Sequence, residues 1–354
     1  MVIAILVAFL IGMIPAGIFS EMGRELPLTA LIVARHTFGW GGAFVFSIFF
    51  TFVNVGWFGL NTEVGGQILS AIFHLHGEFW FWAVGVIQVV LVLFGMKWLE
   101  YFYRYTSAIL VVCYGTLSVY LFTHFHVRVP QSIGKTPWGG ALTTILIFSI
   151  LSWTYKISTV FRFAVSVQKI SHRTRYFLAP SIGIVLAVLL MGVVGIFSQE
   201  ATGNWNVALF GSSIPVWGVV AAVGVALAVV HTNALNLYPS TVDLLAALNT
   251  IKTASQWEQP VATVALGVLS TLLAIYGIID HVTGFLNILG DFLLPFTFIM
   301  IADWLWVQRK RAEVKAFFTP PKTWAEWVSI PAFVGGIVGF VLCFWPELPS
   351  GILL

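Results

Sequence analysis

The stretch FVNVGWFGLNTEVGGQ, residues 52–67, decides the fold. It lies inside an apolar run from 41 to 73, yet it carries Asn54, Asn61, Thr62, Glu63 and Gln67, with Trp57 between them. Amides and a carboxyl are expensive in hydrocarbon, so these groups must face protein or a watered path. On an ideal helix Asn54, Trp57 and Asn61 fall within about 60° of one another. Gly56, Gly59, Glu63, Gly66 and Gln67 fall on the other side. One face offers an aromatic plate between two amides, and the other is small and suits close helix packing. Trp57 is about 24 Å along the axis from Gly41, which is near mid-membrane for a tilted span.

The surrounding composition agrees. Of the 354 residues 59% are hydrophobic and only 9% charged, whereas soluble domains carry about 25% charged residues. The chain reads as an all-α polytopic membrane protein, multi-pass in the plasma membrane, with the bilayer as its solvent and no nucleic-acid partner. Membrane helices need about 20 apolar residues. Ten spans satisfy the pattern, at about 2–20, 41–73, 79–96, 101–123, 138–161, 177–198, 214–249, 260–279, 282–306 and 326–345. No hydrophilic linker is long enough for a soluble domain, so 1–354 reads as one membrane domain.

Basic residues orient it, because Lys and Arg favour cytoplasmic loops. One set of alternate loops holds all but three of the 17 Lys and Arg residues. The opposite loops hold only Arg128 and Lys135, and Lys156 lies inside a span. This orientation puts Met1 outside, with no basic flank before the first span, so the expectation is a chain lacking an upstream helix.

Two further spans carry polar runs. SILSWTYKISTVFRF (149–163) has Ser152, Thr154, Tyr155, Lys156, Ser158 and Thr159. HTNALNLYPSTVD (231–243) has His231, Thr232, Asn233, Asn236, Tyr238, Ser240 and Asp243, with Pro239 able to kink the helix. Three separated spans with polar groups at one depth suggest a shared site inside a bundle. A channel would need a continuous polar lining instead. Several ionisable groups have two readings. Lys156 either snorkels toward Arg162 or serves the site. Glu63 and Asp291 are either helix-contact acids or functional groups, with Asp291 a candidate coupling group. Asp303 reads as an anchor. His231 can exchange protons near neutral pH. The pairs His74/His76 and His124/His126 have no third ligand motif, and no metal is expected. Cys113 and Cys343 read as small buried hydrophobes. No phosphate-binding loop, nucleophile elbow or redox motif is present in the sequence, so enzyme chemistry is not expected.

HTFGWGGAFV (36–45), NVGWFG (54–59), VFRFAVS (160–166) and FTFIMIADWLWVQRKR (296–311) resemble, in order and spacing, the nucleobase–cation symporters, purine/cytosine permease branch. The resemblance covers nearly the whole chain. It implies a leucine-transporter-type inverted repeat, with the first span here matching the second family helix and the first and last family helices absent. It also implies that Trp57 stacks on a flat heterocycle, that Asn54 bonds its edge, and that Ser152 contributes from a broken sixth family helix. Ile150 stands where the cytosine permease has an aromatic residue, with Trp153 beside it as a substitute wall. Thr159 stands where that branch has an acid. Sodium coordination would use the positions of Ala228, His231 and Thr232, of which only Thr232 keeps an oxygen side chain. The function implied is secondary active import of a nucleobase-like heterocycle, a small-molecule partner, coupled to H+ or Na+ with no cofactor. The alternatives are a truncated, non-transporting remnant, or a carrier of another planar solute such as hydroxymethylpyrimidine.

Overall fold

A computed structural model describes residues 2–125, 142, 144–164, 170–212, 215–252, 255, 257–307 and 313–343. Among these residues there are helices and no strands. The helices are α1 (Val2–Glu25), α2 (Ala30–Phe73), α3 (Gly77–Leu93), α4 (Met96–His124), α5 (Ser152–Phe161), α6 (Ile170–Pro180), α7 (Leu186–Thr202), α8 (Val207–Ser212), α9 (Pro215–Ile251), α10 (Glu258–Ile275), α11 (Val282–Ala302), α12 (Trp324–Trp327) and α13 (Ile330–Cys343). Helix is the only way for an isolated strand of chain to satisfy its own backbone in hydrocarbon. Seven helical stretches among the described residues are long and apolar enough to cross a membrane, and Gly77–Leu93, Ile145–Phe161 and Ile330–Gly339 are shorter apolar helices. Exposed apolar side chains such as Ile3, Phe52, Val111 and Val216 cover the outside, as expected where lipid is the solvent.

α2 and α9 cross at the centre, and the other helices build around them. α1 lies on α5 and α6, α3 and α10 lie side by side, α4 flanks α9, and α11 carries α13. Small residues permit the closest approaches. A Cβ on Gly23 of α1 would lie 2.5 Å from the Ser158 carbonyl oxygen of α5. Ser158 Oγ in turn accepts from the Ala30 N–H at 2.7 Å, satisfying an orphan donor at the start of α2. An aromatic cluster fills the centre. Phe50 stacks on Tyr155 with centroids 4.2 Å apart and meets Phe296 edge-on at 4.8 Å.

Two helix readings are corrected. The span beginning at 41 extends back to Ala30, with a kink at Gly39 (φ 77°). Arg35, read as a loop residue, is therefore helical and buried, 4% exposed. Its guanidinium donates to the carbonyls of Phe317 (2.9 Å) and Ala246 (3.1 Å) and lies 4.1 Å from the Trp40 ring centroid. Burial of a planar five-donor cation requires such a set of acceptors. The charge that hid this helix is thus internally satisfied. The second correction concerns the sixth family helix, which the resemblance implies is broken. Here a wide π turn, Ile145–Leu151, runs directly into α5, and Leu151 keeps α-helical dihedrals (φ −65°, ψ −29°). Similar π turns occur at Ser181–Val185 and Asp303–Val307. Asp303 anchors the start of α2, accepting from Thr37 Oγ1 at 2.6 Å and lying 3.2 Å from His36 Nδ1.

Candidate functional site

The polar groups of α2, α5 and α9 converge. On α9, Asn233, Asn236, Ser240 and Asp243 recur at helical spacing and fall within about 80° of one another. This stripe faces α2 and α5. Asn233 is 0% exposed and uses its whole carboxamide. Its nitrogen donates to the Phe58 carbonyl (3.0 Å) and Thr62 Oγ1 (2.9 Å), and its oxygen accepts from Asn61 (3.0 Å) and Asn236 (3.2 Å). Asn236 Oδ1 accepts at 2.7 Å from Lys156 Nζ of α5. The Lys156 ammonium also sits 4.5 Å from the Trp153 ring centroid, a cation–π contact.

Farther along the stripe, toward the α9 C-terminus, Tyr155 Oη donates to Asn54 Oδ1 at 2.9 Å, and Asn54 Nδ2 reaches Asp243 Oδ2 at 3.4 Å. Arg162 donates to Tyr238 Oη at 2.8 Å. Ser240 Oγ donates to the Thr51 carbonyl at 3.0 Å, closing α9 on α2. Lys156, Asp243, Asn54 and Tyr155 are all buried. A continuous polar seam therefore runs through the interior, with amides at its middle and charged groups beside them.

Trp57 lies on the same face of α2, one turn from both Asn54 and Asn61. It is half-buried, meets Phe285 edge-on at 5.6 Å, and its buried indole N–H has no hydrogen-bond partner. A donor-only group left in that state costs free energy until an acceptor arrives. The opposite face of α2 packs as its glycines predict, with Gly56 against Phe285 and Gly59 against α10. Glu63, also on that face, accepts from the Ile279 N–H at 2.9 Å and from Gln67 at 3.2 Å, so it caps a neighbouring turn.

The residues singled out from sequence separate into three groups. Trp57, Asn54, Ser152 and Trp153 lie on the converging helices, with Ser152 buried. Asn54 is occupied by Tyr155 and Asp243, both ends of its amide being in use. Ile150 lies in the π turn, but its side chain falls outside the described residues. His231, one of the positions the resemblance implies for sodium, faces away from the seam. Two residues on a helix point about 200° apart, so while Asn233 faces the seam His231 faces α4. There its ring is 2.6 Å from Thr106 Oγ1 and lies between Phe102 and Tyr103 at centroid distances of 4.9 and 4.8 Å. Ala228 and Thr232 are half-buried on α9. Asp291 is half-buried on α11, with no hydrogen bond or ion pair to His231. No group of three or more His, Cys, Asp and Glu among the described residues is placed to hold a metal, and His126 lies outside them. Sequence reasoning missed the pairing of Lys156 with Asn236 and the place of Asp243. The i, i+3, i+7, i+10 spacing of Asn233, Asn236, Ser240 and Asp243 was the available signal.

Beside this seam, on the same face of α2, stands an indole whose buried N–H has no partner. The model of permeases for cytosine/purines, uracil, thiamine and allantoin matches residues 1–353. The chain belongs to that permease family. The hydantoin permease of Microbacterium maritypicum is 24% identical over 323 residues, covering 84% of this chain and 65% of that protein. The chain thus spans just under two thirds of that relative's length. The putative purine-cytosine permease YxlA of Bacillus subtilis (strain 168) is 22% identical over 356 residues, covering 95% of this chain and 76% of that protein. Among solved structures, MHP1, a nucleobase-cation-symport-1 family transporter in a closed conformation with bromovinylhydantoin bound, superposes with a TM-score of 0.74 at 20% identity. The match covers 97% of this chain and 83% of that one. A Na+-coupled sialic acid symporter gives a TM-score of 0.64 at 11% identity, covering 95% of this chain and 83% of that one. MhsT in complex with L-phenylalanine gives 0.58 at 15%, covering 96% and 91%. The permease family chain therefore has the leucine-transporter-type fold of polytopic membrane transporters.

Proposed function

We propose that the protein is a secondary active transporter that imports a small planar heterocycle of the nucleobase type. Cytosine, a purine, uracil and a hydantoin-like ring are the solutes in view, coupled to a cation. Binding and alternating access perform the work, and no bond in the solute is made or broken. The observation that carries this reading is Trp57. Its indole N–H is buried without a partner, on the helix face from which α2 joins polar groups of α5 and α9. A flat solute with an acceptor atom in the plane of the indole could supply the missing partner. Asn61, whose amide nitrogen is spent on Asn233, would offer its Oδ1 to the ring's edge. Family membership and the likeness to MHP1 support the same class. Half-inserted, polar sites near the midplane are where such carriers bind their solutes.

The test is uptake into proteoliposomes of radiolabelled cytosine, adenine, uracil, hydantoin and hydroxymethylpyrimidine, with imposed sodium and pH gradients applied separately. The reading expects gradient-driven accumulation of at least one ring, competed by its relatives. Equilibration without accumulation of every ring under both gradients would refute it.

A further inference from the structure

We propose that Arg162 and Tyr238 form a releasable latch that closes the polar seam on its cytoplasmic side, so that solute at Trp57 is shut off from the cell interior while the latch holds. The inference rests on the transport reading above and deepens it by naming the contact that gates one side of the site.

Two hydrogen bonds join α5, and the residue that follows it, to α9. Lys156 Nζ donates to Asn236 Oδ1 at 2.7 Å, and less than two turns further on Arg162 Nη2 donates to Tyr238 Oη at 2.8 Å. Lys and Arg favour the cytoplasmic side, so the Arg162 end of α5 is its inner end. At 100° per residue Ser152, Lys156, Thr159 and Arg162 fall within about 120° of one another. Their two bonds show that this face is turned to α9. Thr159, between the two bonds, is buried. Packing along the seam is uneven. Toward the inner end Thr51, Asn54, Ser240 and Asp243 are all buried, whereas Trp57 and Asn61, toward the outer end, are half-buried. The seam is thus sealed on the inner side of Trp57, and Arg162 stands at the edge of the seal.

A latch must hold in one state and let go in the other, and in this respect Arg162 differs from Arg35. A guanidinium has five donors. Arg35 spends its own on the Phe317 and Ala246 carbonyls and on Asn249 and Thr250, so moving it gains nothing. Arg162 is half-buried. Its Nη2 has the Tyr238 phenol, its Nε is buried without a partner, and its guanidinium carbon lies 4.8 Å from the Phe163 ring centroid. An orphaned buried donor costs free energy. Arg162 directly follows the last residue of α5, and a long side chain at the inner end of a span reaches water by swinging outward. The swing recovers the hydration of Nε and leaves behind a neutral phenol, which is cheaper to strand than a charge. Closing restores a charge-assisted hydrogen bond, one of the stronger kind. The two contributions oppose each other, which keeps the closed and open arrangements close in free energy, as alternation between them requires.

The experiment measures access from the cytoplasmic side. Thr159→Cys is introduced together with Cys113→Ala and Cys343→Ala, which remove both native thiols. Inverted membrane vesicles are then treated with a charged maleimide that does not cross the bilayer. Tyr238→Phe removes the acceptor and keeps the ring, and Arg162→Met removes the donors and keeps an unbranched stem. Each should raise the labelling rate of Thr159→Cys at least fivefold. The two together should raise it no further than one alone, because they break the same contact. Labelling of Ala222→Cys, buried on the outer part of α9, should stay the same in all of these variants. Unchanged labelling of Thr159→Cys in either single variant overturns the proposal. Equal gains at Ala222→Cys indicate a loosened bundle and overturn it also, as do gains that multiply in the double variant. The labelling needs no solute and is therefore separable from the uptake test. Failure of uptake alongside latch-dependent labelling overturns the transport reading and leaves the closure standing.

Discussion

At the scale of residues, the seam is held by amides that have few alternatives. Asn236 stands between a buried ammonium and Asn233. Its replacement by leucine keeps the branched outline of the side chain but leaves Lys156 with no described hydrogen-bond acceptor. Leaving a buried donor unsatisfied costs about 1–3 kcal/mol, and more when the group is charged. Asn236→Leu should therefore lower the thermal midpoint of the purified protein markedly, while Asn236→Leu combined with Lys156→Met should recover most of the loss. A double variant no more stable than the single one would show that Asn236 acts through some other partner. Asn233 differs, because all its partners are neutral. Asn233→Ala should cost less, about 1–3 kcal/mol for the groups left unpaired, as read by the same melting measurement.

At the scale of elements, the inner end of α2 is held by one backbone kink and one buried cation. Gly39 has φ 77°, and a Cβ there would lie 2.6 Å from the Trp327 carbonyl oxygen. Both the strained dihedral and the clash oppose any side chain. Gly39→Val should release α12 from α2, so that amide exchange rises at Trp327–Ser329, where the Ser329 N–H bonds the Phe38 carbonyl at 3.1 Å. Unchanged exchange there contradicts the kink's role. Arg35→Ala removes donors from the Phe317 and Ala246 carbonyls, a loss of about 1.5–3 kcal/mol for each charged hydrogen bond. The variant should become protease-sensitive between α11 and α12, and full resistance would refute the lock. Sequence made the long apolar elements legible, because a bilayer demands a run of hydrophobes that little else explains. It hid the first turns of α2, since Arg35 looks like a loop charge until its acceptors from distant segments are seen. It displayed the α9 stripe, yet not the direction of His231. Two neighbours in sequence face opposite ways, and which one meets α2 depends on helices elsewhere in the chain. Lys156 was equally legible as a snorkelling residue, because Asn236 lies 80 residues away.

At the scale of the whole molecule, the permease family fold brings three polar runs, separated by long apolar stretches, to one depth. The seam from Thr62 to Asp243 and the indole of Trp57 thus lie on the same three helices. The measurement that tests this account most directly is equilibrium binding of labelled uracil, cytosine and hydantoin to the purified protein. The account predicts saturable binding of at least one ring, not competed by sialic acid or L-phenylalanine. Trp57→Ala should weaken it by about 1–3 kcal/mol, the worth of one base–aromatic stack, or roughly 5- to 150-fold, with Trp57→Phe in between. Affinity unchanged in a well-folded Trp57→Ala protein, or no saturable binding of any planar ring, would contradict it.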